Sequence, residues 1–378
     1  MSIKNCSIFK PNFSPVRISA MHHSINGIQQ IGIGVFNACE AFEWYKKNFG
    51  FSTIIFEDKA PASLMTRYTG DEEHQRYAVL AMNLQGGGGI EIWQYTSRTP
   101  TAPVKQLQLG NTGVFAVKLR CKEIKQAYLH LTKTSKNLLT GISLNPMGCY
   151  HFYITDPFGN IFEIVEDNYQ FSDNGNPVGG VCGVVVGVSD MEKAVNFYQA
   201  ILGYNIIKRD EEKVFDDLKC LEGGNEKVRR VILQHRESYT GPFSKLLGPT
   251  TIELIQTNPK NQSKIFADRY WGDIGFIHIC YDVTNMKMLE LLCKRSSHPF
   301  TVNSEKSFGM GKAAGHFAYN EDPDGTLIEY VETHRVPILK KIGWYLDLRK
   351  RKQLKPLPNW MVKCMGLGKK TLNVDFQS

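Results

Sequence analysis

Apolar, strand-like runs alternate with amphipathic helical stretches along this chain, and the alternation repeats. Residues 28–56 read as an apolar strand, a short polar turn, an amphipathic helix closed by Gly50 and a second strand. Residues 181–208 have the same order, with Asp190 as a helix N-cap and Gly203 after the helix. The two stretches predict one structural unit in two copies.

A unit of a second type follows each of these copies. Each consists of an apolar strand, a helix and a hairpin, and the hairpin turns read DPFGN and DPDGT, in which Pro sets φ and Gly accepts a left-handed position. The strand, helix and hairpin are predicted at 113–120, 122–133 and 151–167 in the first copy, and at 275–283, 284–294 and 316–332 in the second.

One glutamate occupies the same place in the last strand of every unit: Glu91, Glu163, Glu253 and Glu329. A carboxylate in an apolar strand is costly to bury without a partner, so four in register indicate a shared interior and a candidate metal. The fold class predicted is α+β, with four βαβββ modules in chain order. The divisions are an arm at 1–24, a domain of modules 1 and 2 at 25–170, a linker at 171–180, a domain of modules 3 and 4 at 181–334 and a tail at 335–378.

Composition narrows the class of protein. The chain has 378 residues, 42% of them hydrophobic, and a formal net charge of +8. Residues 335–370 hold eleven Lys or Arg and one acid, Asp347, so the rest of the chain is close to neutral and no nucleic-acid partner is predicted. The nine cysteines form no CxxC pair, and no apolar run has the length of a membrane span or a signal peptide. These features predict a cytoplasmic protein.

The repeated strand–helix–Gly unit and the DPxG hairpin that ends in a Glu strand resemble the vicinal oxygen chelate superfamily, which includes glyoxalase I and the extradiol dioxygenases. The resemblance covers roughly residues 25–334. It implies that pairs of modules join their sheets into two half-open β-barrels, with a metal in the cup that a pair forms.

The resemblance also implies where metal ligands lie, namely at the start of each first strand and in each glutamate strand. The ligand positions are Gln30 and Glu91, Gly113 and Glu163, Gly183 and Glu253, and His278 and Glu329. If module 1 pairs with module 4, one site holds Gln30, Glu91, His278 and Glu329, and the site of modules 2 and 3 is vacant or vestigial. If modules pair in sequence, the best site is Glu253, His278 and Glu329. We favour the first pairing, because it puts every remaining ligand in one place.

This ligand set predicts one divalent ion, Zn, Ni, Fe, Mn or Co, with room for water or two neighbouring substrate oxygens. The resemblance assigns Glu329 as the base that takes an α-proton and Glu91 as the steadier ligand, although the two could exchange roles. His278 alone in an apolar strand would ordinarily be a core residue; the repeat register favours a ligand.

Several residues are weaker candidates for substrate contact. They are Lys312 in a Gly-rich segment, His316 at the start of the last hairpin as His151 is in the earlier one, and Trp93 and Tyr95 after the first glutamate. Glyoxalase I has an Arg and an Asn for glutathione where this chain has Gly34 and Tyr95. A glutathione adduct is therefore not expected, and the aromatic residues, with Phe276, suit a more apolar substrate.

The basic tail has Ile338, Ile342, Tyr345 and Leu346 at helical spacing. This pattern predicts either an amphipathic helix that contacts an anionic membrane surface peripherally, or a helix packed on its own domain.

The favoured function is a metal-dependent lyase or isomerase that acts α to a carbonyl on a small molecule with adjacent oxygens. Two alternatives stay open. One is an Fe(II) extradiol-type dioxygenase, against which stands Gly183 where that family has its first His. The other is a metal-free protein that binds a small molecule.

Overall fold

A computed structural model describes residues 23–137, 140–235, 240–258, 262–304, 308–310, 313–339, 344–351, 355–367 and 371–372. The strands of the first half of the chain are β1 (Ser24–Gly34), β2 (Thr53–Pro61), β3 (Gln75–Met82), β4 (Gly89–Tyr95), β5 (Gly113–Cys121), β6 (Ser143–Leu144), β7 (Tyr150–Thr155) and β8 (Ile161–Glu166). Those of the second half are β9 (Val181–Gly187), β10 (Ile206–Lys213), β11 (Val228–Gln234), β12 (Thr251–Gln256), β13 (Gly275–Thr284), β14 (Val302–Asn303), β15 (Phe308–Met310), β16 (Ala313–Glu321), β17 (Leu327–Leu339) and β18 (Trp344–Asp347).

The helices are α1 (Ala38–Phe49), α2 (Ile124–Thr134), α3 (Met191–Ala200), α4 (Ser244–Leu247), α5 (Met286–Arg295) and α6 (Asn359–Cys364). Asn37 and Asp190 accept hydrogen bonds from backbone N–H groups at the starts of α1 and α3, so the N-cap predicted at Asp190 is present. Gly50 ends α1 at φ 74°, a left-handed conformation that favours glycine. In the described residues, no helix has the length and apolar character needed to cross a membrane.

The strands form two sheets, and each sheet takes one module from each half of the chain. Sheet A has the order β14-β16-β17-β13-β1-β4-β3-β2, with β15 on β16 and β18 on β17; sheet B has the order β10-β11-β12-β9-β5-β8-β7-β6. In sheet A, β1 of module 1 runs antiparallel to β13 of module 4, and in sheet B β5 of module 2 runs antiparallel to β9 of module 3. The favoured pairing, module 1 with module 4, is therefore the one in the structure.

Both sheets curl into half-barrels with helices between them, which confirms the predicted α+β fold class. The main core lies on the helix side of the sheets and combines residues from both, including Ile31, Phe42, Phe162 and Phe276. Phe162 of sheet B meets Phe276 of sheet A at 5.3 Å between ring centroids. Phe276 is thus a core residue, and the expectation that it lines the cup is wrong.

The repeated tyrosines and hairpin aspartates seen in the sequence contact each other across modules. Tyr45 of α1 donates a hydrogen bond to Asp156 of the DPFGN turn at 2.6 Å, and Tyr198 of α3 donates to Asp322 of the DPDGT turn at 3.2 Å. Both carboxylates also accept backbone N–H groups of their own turns. Each pair therefore joins a helix of one sheet to a hairpin of the other.

The basic tail does not form the helix predicted around Ile338–Leu346. In its described residues β17 continues to Leu339 and β18 returns from Trp344, with Ile342 outside the described part. Leu348, Leu357 and Val362 of the tail then pack with Leu80 and Met82 of β3. Over so short a stretch the spacing of apolar residues does not distinguish a helix from two strands, which explains the error.

Candidate metal centre

Gln30, Glu91, His278 and Glu329 come together on the face of sheet A opposite the main core, which we call the cup. Strand register brings them there: Gly32 of β1 lies opposite both His278 of β13 and Glu91 of β4, and Glu329 of β17 lies opposite Cys280. A Cβ atom on Gly32 would overlap the His278 imidazole. The glycine two residues after Gln30 therefore makes room for the histidine.

The ligand atoms of Glu91, His278 and Glu329 lie within 4.8 Å of one another. The His278 Nε2 is 3.1 Å from Glu329 Oε2 and 3.4 Å from Glu91 Oε2, and Gln30 donates from Nε2 to Glu91 Oε2 at 3.2 Å. All four side chains are buried, with His278 fully inaccessible. The geometry is that of four polar groups converging on one small volume.

Three of the converging atoms are not satisfied by the protein. Within the described residues, Gln30 Oε1, His278 Nε2 and Glu329 Oε2 are buried and make no hydrogen bond of acceptable geometry. A buried polar atom without a partner is costly, so the approach of His278 to Glu329 at 3.1 Å must be completed either by a proton on the imidazole or by a cation between the groups. One amide oxygen, one imidazole nitrogen and two carboxylates fit a divalent ion in charge and donor type.

The electrostatics of the site depend on whether His278 carries a proton. Burial alone would lower the pKa of the imidazole, but the adjacent carboxylates of Glu329 and Glu91 raise it to about 9. A proton on His278 and a bound cation are therefore alternative ways to balance the two carboxylates. The Nδ1 atom of His278 lies 3.5 Å from the Tyr319 hydroxyl, which fixes the orientation of the ring.

In sheet B, charged side chains that form ion pairs occupy the space that corresponds to the metal centre of sheet A. The Lys118 Nζ lies 2.8 Å from Glu163 Oε2 and 2.7 Å from Glu253 Oε2, and Arg230 Nε lies 2.6 Å from Glu253 Oε1. His151 contacts Glu163 at 2.8 Å, and Arg230 contacts Asp217 at 2.7 Å. Two cations thus balance the glutamates. Of the two expectations for this place, vacant or vestigial, the structure rules out the vacant one.

The register also corrects one ligand position. Gly183 pairs with Thr251, two residues before Glu253, just as Gln30 pairs with Gly89, two residues before Glu91. The counterpart of His278, however, is Ala116, which pairs with Ile161 two residues before Glu163. Gly113, the position assigned from the sequence, lies three residues before Ala116. Lys118 stands at the counterpart of Cys280 and extends into the space of the missing ligands.

Of the candidate substrate residues, Trp93 lies near the metal centre, since it follows Glu91 by two residues on the same face of β4. Tyr95 donates its hydroxyl to the carbonyl of Trp271. His316 contacts Asn303 at 2.6 Å, and alternation along β16 puts it on the face opposite Tyr319, away from the cup. Its expected counterpart, His151, corresponds instead to Phe317. Lys312 lies outside the described residues.

Sequence reasoning missed Tyr319, Trp271 and the cations of sheet B. Tyr319 pairs with Glu329 and Tyr153 with Glu163, so the repeat could have revealed this pair of tyrosines. Trp271 lies in a loop before β13, and no pattern signals it. The eight cysteines that the structure describes are free thiols, which agrees with the absence of a disulfide pattern.

Comparison with known proteins supports this assignment of fold. Residues 27–164 match the model of the Glyoxalase/Bleomycin resistance protein/Dioxygenase superfamily. A mutant form of glyoxalase I from Zea mays has a TM-score of 0.51 at 14% identity, over 82% of this chain and 93% of that one. A candidate dioxygenase from Bacillus subtilis has a TM-score of 0.53 at 14% identity, over 82% and 86%.

No curated protein sequence matches the chain. The solved structures share the fold at low identity, so activity has to be argued from the site. Residues 27–164 therefore match this superfamily in sequence, and the two sheets share the fold of the solved structures named above.

Proposed function

We propose that this protein is a metal-dependent lyase or isomerase that removes a proton α to a carbonyl, with one active site in the cup of sheet A. The observation that carries the proposal is the set of buried, unsatisfied atoms Gln30 Oε1, His278 Nε2 and Glu329 Oε2 beside Glu91. Without a ligand this arrangement would lower the stability of the fold, so a purely structural role does not account for it.

A divalent ion held by Gln30, Glu91, His278 and Glu329 would polarise a substrate carbonyl and make the adjacent C–H more acidic. In this proposal Glu329 takes the α-proton, because no amide side chain among the described residues donates to its Oε2 as Gln30 does to Glu91. Glu91 stays in place because Gln30 donates to it. The same Glu329 returns the proton to the product, and its position on one side of the substrate determines the face that is protonated.

Glutathione is not part of the proposal. Gly34 stands where glyoxalase I carries an arginine, and the Tyr95 hydroxyl is committed to the Trp271 carbonyl. The substrate proposed is a small molecule with two neighbouring oxygens and a different body. Free cysteines throughout the described chain support a reducing, cytoplasmic compartment for the reaction.

The dioxygenase alternative has less support. The extradiol reaction uses two histidines and one carboxylate on iron, whereas the cluster among the described residues has one histidine and two carboxylates. A metal-free binding protein would leave the three unsatisfied atoms unexplained.

Metal content tests the proposal. Purified protein should hold about one divalent ion per chain, and His278→Ala and Glu329→Ala should each lose it, with folding checked by circular dichroism. Glu290→Ala, an exposed glutamate on α5, is the matched control and should retain the ion. A folded protein that takes up no ion under any reconstitution would exclude the proposed enzyme.

Glu329→Gln separates the base from the ligand. The amide oxygen can still contact a cation but cannot take a proton, so α-proton exchange of a substrate into deuterated water should fall by at least about a hundredfold while the metal is retained. Unchanged exchange in this variant would assign the base elsewhere.

A further inference from the structure

Two buried tryptophans next to the metal centre lack hydrogen-bond acceptors. The indole N–H groups of Trp93 and Trp271 meet no acceptor among the described residues, although the side chains are only 8% and 4% exposed. Their rings contact each other at 4.5 Å between centroids, with 66° between the ring planes. A buried donor without an acceptor is unusual in a folded protein, and two in contact are more so.

These indoles belong to an apolar wall that borders the metal centre. The wall consists of Ala62, Met65, Ala78, Trp93, Trp271, Ile277, Val302 and Tyr319. Tyr319 contacts the imidazole of His278, and Trp93 shares a face of β4 with Glu91. The unsatisfied indoles and the unsatisfied metal ligands therefore border one region of the cup.

None of the eight residues of the wall is charged, and the cation that lies over Trp93 is paired with a carboxylate. Arg76 lies over the Trp93 ring at 4.8 Å, but its guanidinium is paired with Asp58 at 2.9 Å. The Tyr95 hydroxyl, which could have served as a donor, is committed to the Trp271 carbonyl. What the wall offers a ligand is apolar area, aromatic faces and two neutral N–H donors.

We infer that the substrate carries, beside its two metal-binding oxygens, an aromatic or similarly large apolar group with a further acceptor oxygen that receives the indole N–H of Trp93 or Trp271. This inference rests on the proposed function, because it takes the metal as the point from which the substrate extends. The substrate class is a compound with two neighbouring metal-binding oxygens and an oxygen-substituted aromatic group. Trp93 and Trp271 are the residues that select it. A charged peptide such as glutathione lacks a partner on this wall.

Hydroxamic acids test the inference, since they bind divalent ions through two adjacent oxygens and come in matched series. The probes are acetohydroxamic acid, benzohydroxamic acid and its three mononitro isomers, titrated into the full-length Co²⁺-loaded protein and followed by the visible spectrum of the metal. Benzohydroxamic acid should bind about tenfold or more tightly than acetohydroxamic acid, because the phenyl ring buries apolar area. At least one nitro isomer should gain a further threefold or so through the indole N–H.

Trp93→Phe and Trp271→Phe keep an aromatic ring and remove the donor. One or both should abolish the nitro isomer's gain and leave the affinity for benzohydroxamic acid within about twofold. Trp360→Phe, at a side chain that is 52% exposed on α6, is the control and should change nothing.

Two outcomes would overturn the inference: equal affinity for the acetyl and benzoyl probes, or a nitro gain that survives both substitutions. Failure of the proposed function looks different. In that case the protein binds no cobalt, and none of the hydroxamic acids changes a metal spectrum, whatever acyl group it carries.

Discussion

The Lys118 ammonium group lies 2.8 Å from the carboxylate of Glu163, at the place in sheet B where sheet A brings together its proposed metal ligands. The same ammonium reaches Glu253 at 2.7 Å. The coulombic attraction of Lys118 and the His151 hydrogen bond hold the pKa of Glu163 well below its usual range, although burial alone would raise it. A fixed positive charge of the protein thus does in one sheet what we propose a metal does in the other.

Replacing this lysine should therefore destabilise the fold without affecting metal content. Lys118→Met leaves two buried carboxylates short of a partner, and we expect the free energy of unfolding to fall by about 3–5 kcal/mol. Urea denaturation measures the change, with Lys193→Met, an exposed lysine paired to Asp190, as the control that leaves stability unchanged. If Lys118→Met is as stable as the unsubstituted protein, the ion pairs of sheet B do not stabilise the fold.

Metal binding should be linked to proton release from His278. With the pKa of the metal-free imidazole at about 9, an ion must displace one proton at neutral pH, and apparent affinity should rise about tenfold per pH unit up to about pH 9. Calorimetry in buffers of different ionisation enthalpy counts the proton. The count should be about one proton per ion at neutral pH, and a pH-independent affinity between pH 6 and 8 would contradict the linkage.

The same pKa predicts how the metal-free protein responds to pH. The folded-state pKa lies above the ordinary value of 6.5, so the protonated imidazole stabilises the fold fully below pH 6.5. This contribution should disappear as the pH rises through about 9, and the midpoint of thermal unfolding of the metal-free protein should fall over that interval. A matching fall in His278→Ala would assign the pH dependence to another group.

Tyr319 should act on the metal through His278. Tyr319→Phe removes the hydroxyl 3.5 Å from Nδ1, and loss of such an outer contact typically weakens metal affinity by about tenfold or more. Competition with a chelator measures it. Tyr153→Phe, at the corresponding position opposite Glu163 in sheet B, should leave metal affinity unchanged. Equal effects of the two substitutions would indicate general loosening instead of a specific contact.

The Tyr45–Asp156 bond should stabilise the fold in a pH-dependent way. Burial raises the pKa of Asp156 to about 6, with hydrogen bonds from Tyr45 and Asn160 opposing the rise. Tyr45→Phe should cost about 1–3 kcal/mol at pH 8, where the carboxylate is ionised, and less at pH 5, where it is protonated. Urea unfolding at both pH values tests this, and a cost that grows as the pH falls would contradict it.

Peripheral membrane contact by the tail, one of the two alternatives drawn from the sequence, can be tested on its exposed cations. Lys350, Lys355 and Lys363 are exposed, and Trp360 lies between them. Each such lysine contributes about 1 kcal/mol of attraction to an anionic lipid surface. Replacing all three with Gln should greatly weaken binding to phosphatidylserine vesicles at low salt, while phosphatidylcholine vesicles bind neither protein. If the full chain binds neither kind of vesicle, the role of the tail is structural.

The repeat made the ligand set of sheet A predictable. Once the register of the four glutamates was fixed, Gln30 and His278 followed from their position in the first strand of their modules, and the structure places both beside Glu91 and Glu329. The preference for pairing modules 1 and 4 came from chemistry, because that pairing alone united all four ligands. Register and chemistry together carried the prediction.

The errors have physical reasons. Lys118 lies in an apolar strand directly opposite Glu163, and its side chain also contacts Glu253 of the neighbouring module. A sequence pattern does not show that strand pairing. His316 was matched to His151, but His316 precedes Tyr319 by three residues and His151 precedes Tyr153 by only two. Alternation along the strands therefore puts the two histidines on opposite faces. Trp271 reaches the cup from a loop, and loop geometry leaves no periodic signal.

The pairing of β1 with β13 sets the order in which a newly made chain can be completed. Asn26 and Asp282, which join these strands by a hydrogen bond, are 256 residues apart. All strands of sheet B are synthesised before β13 appears, so that sheet can close while the strands of module 1 still expose an unpaired hydrophobic edge to chaperones or to other chains. The last large unit to be made supplies both the missing neighbour strand and half of the ligands. Metal uptake would then report that an individual chain has finished folding.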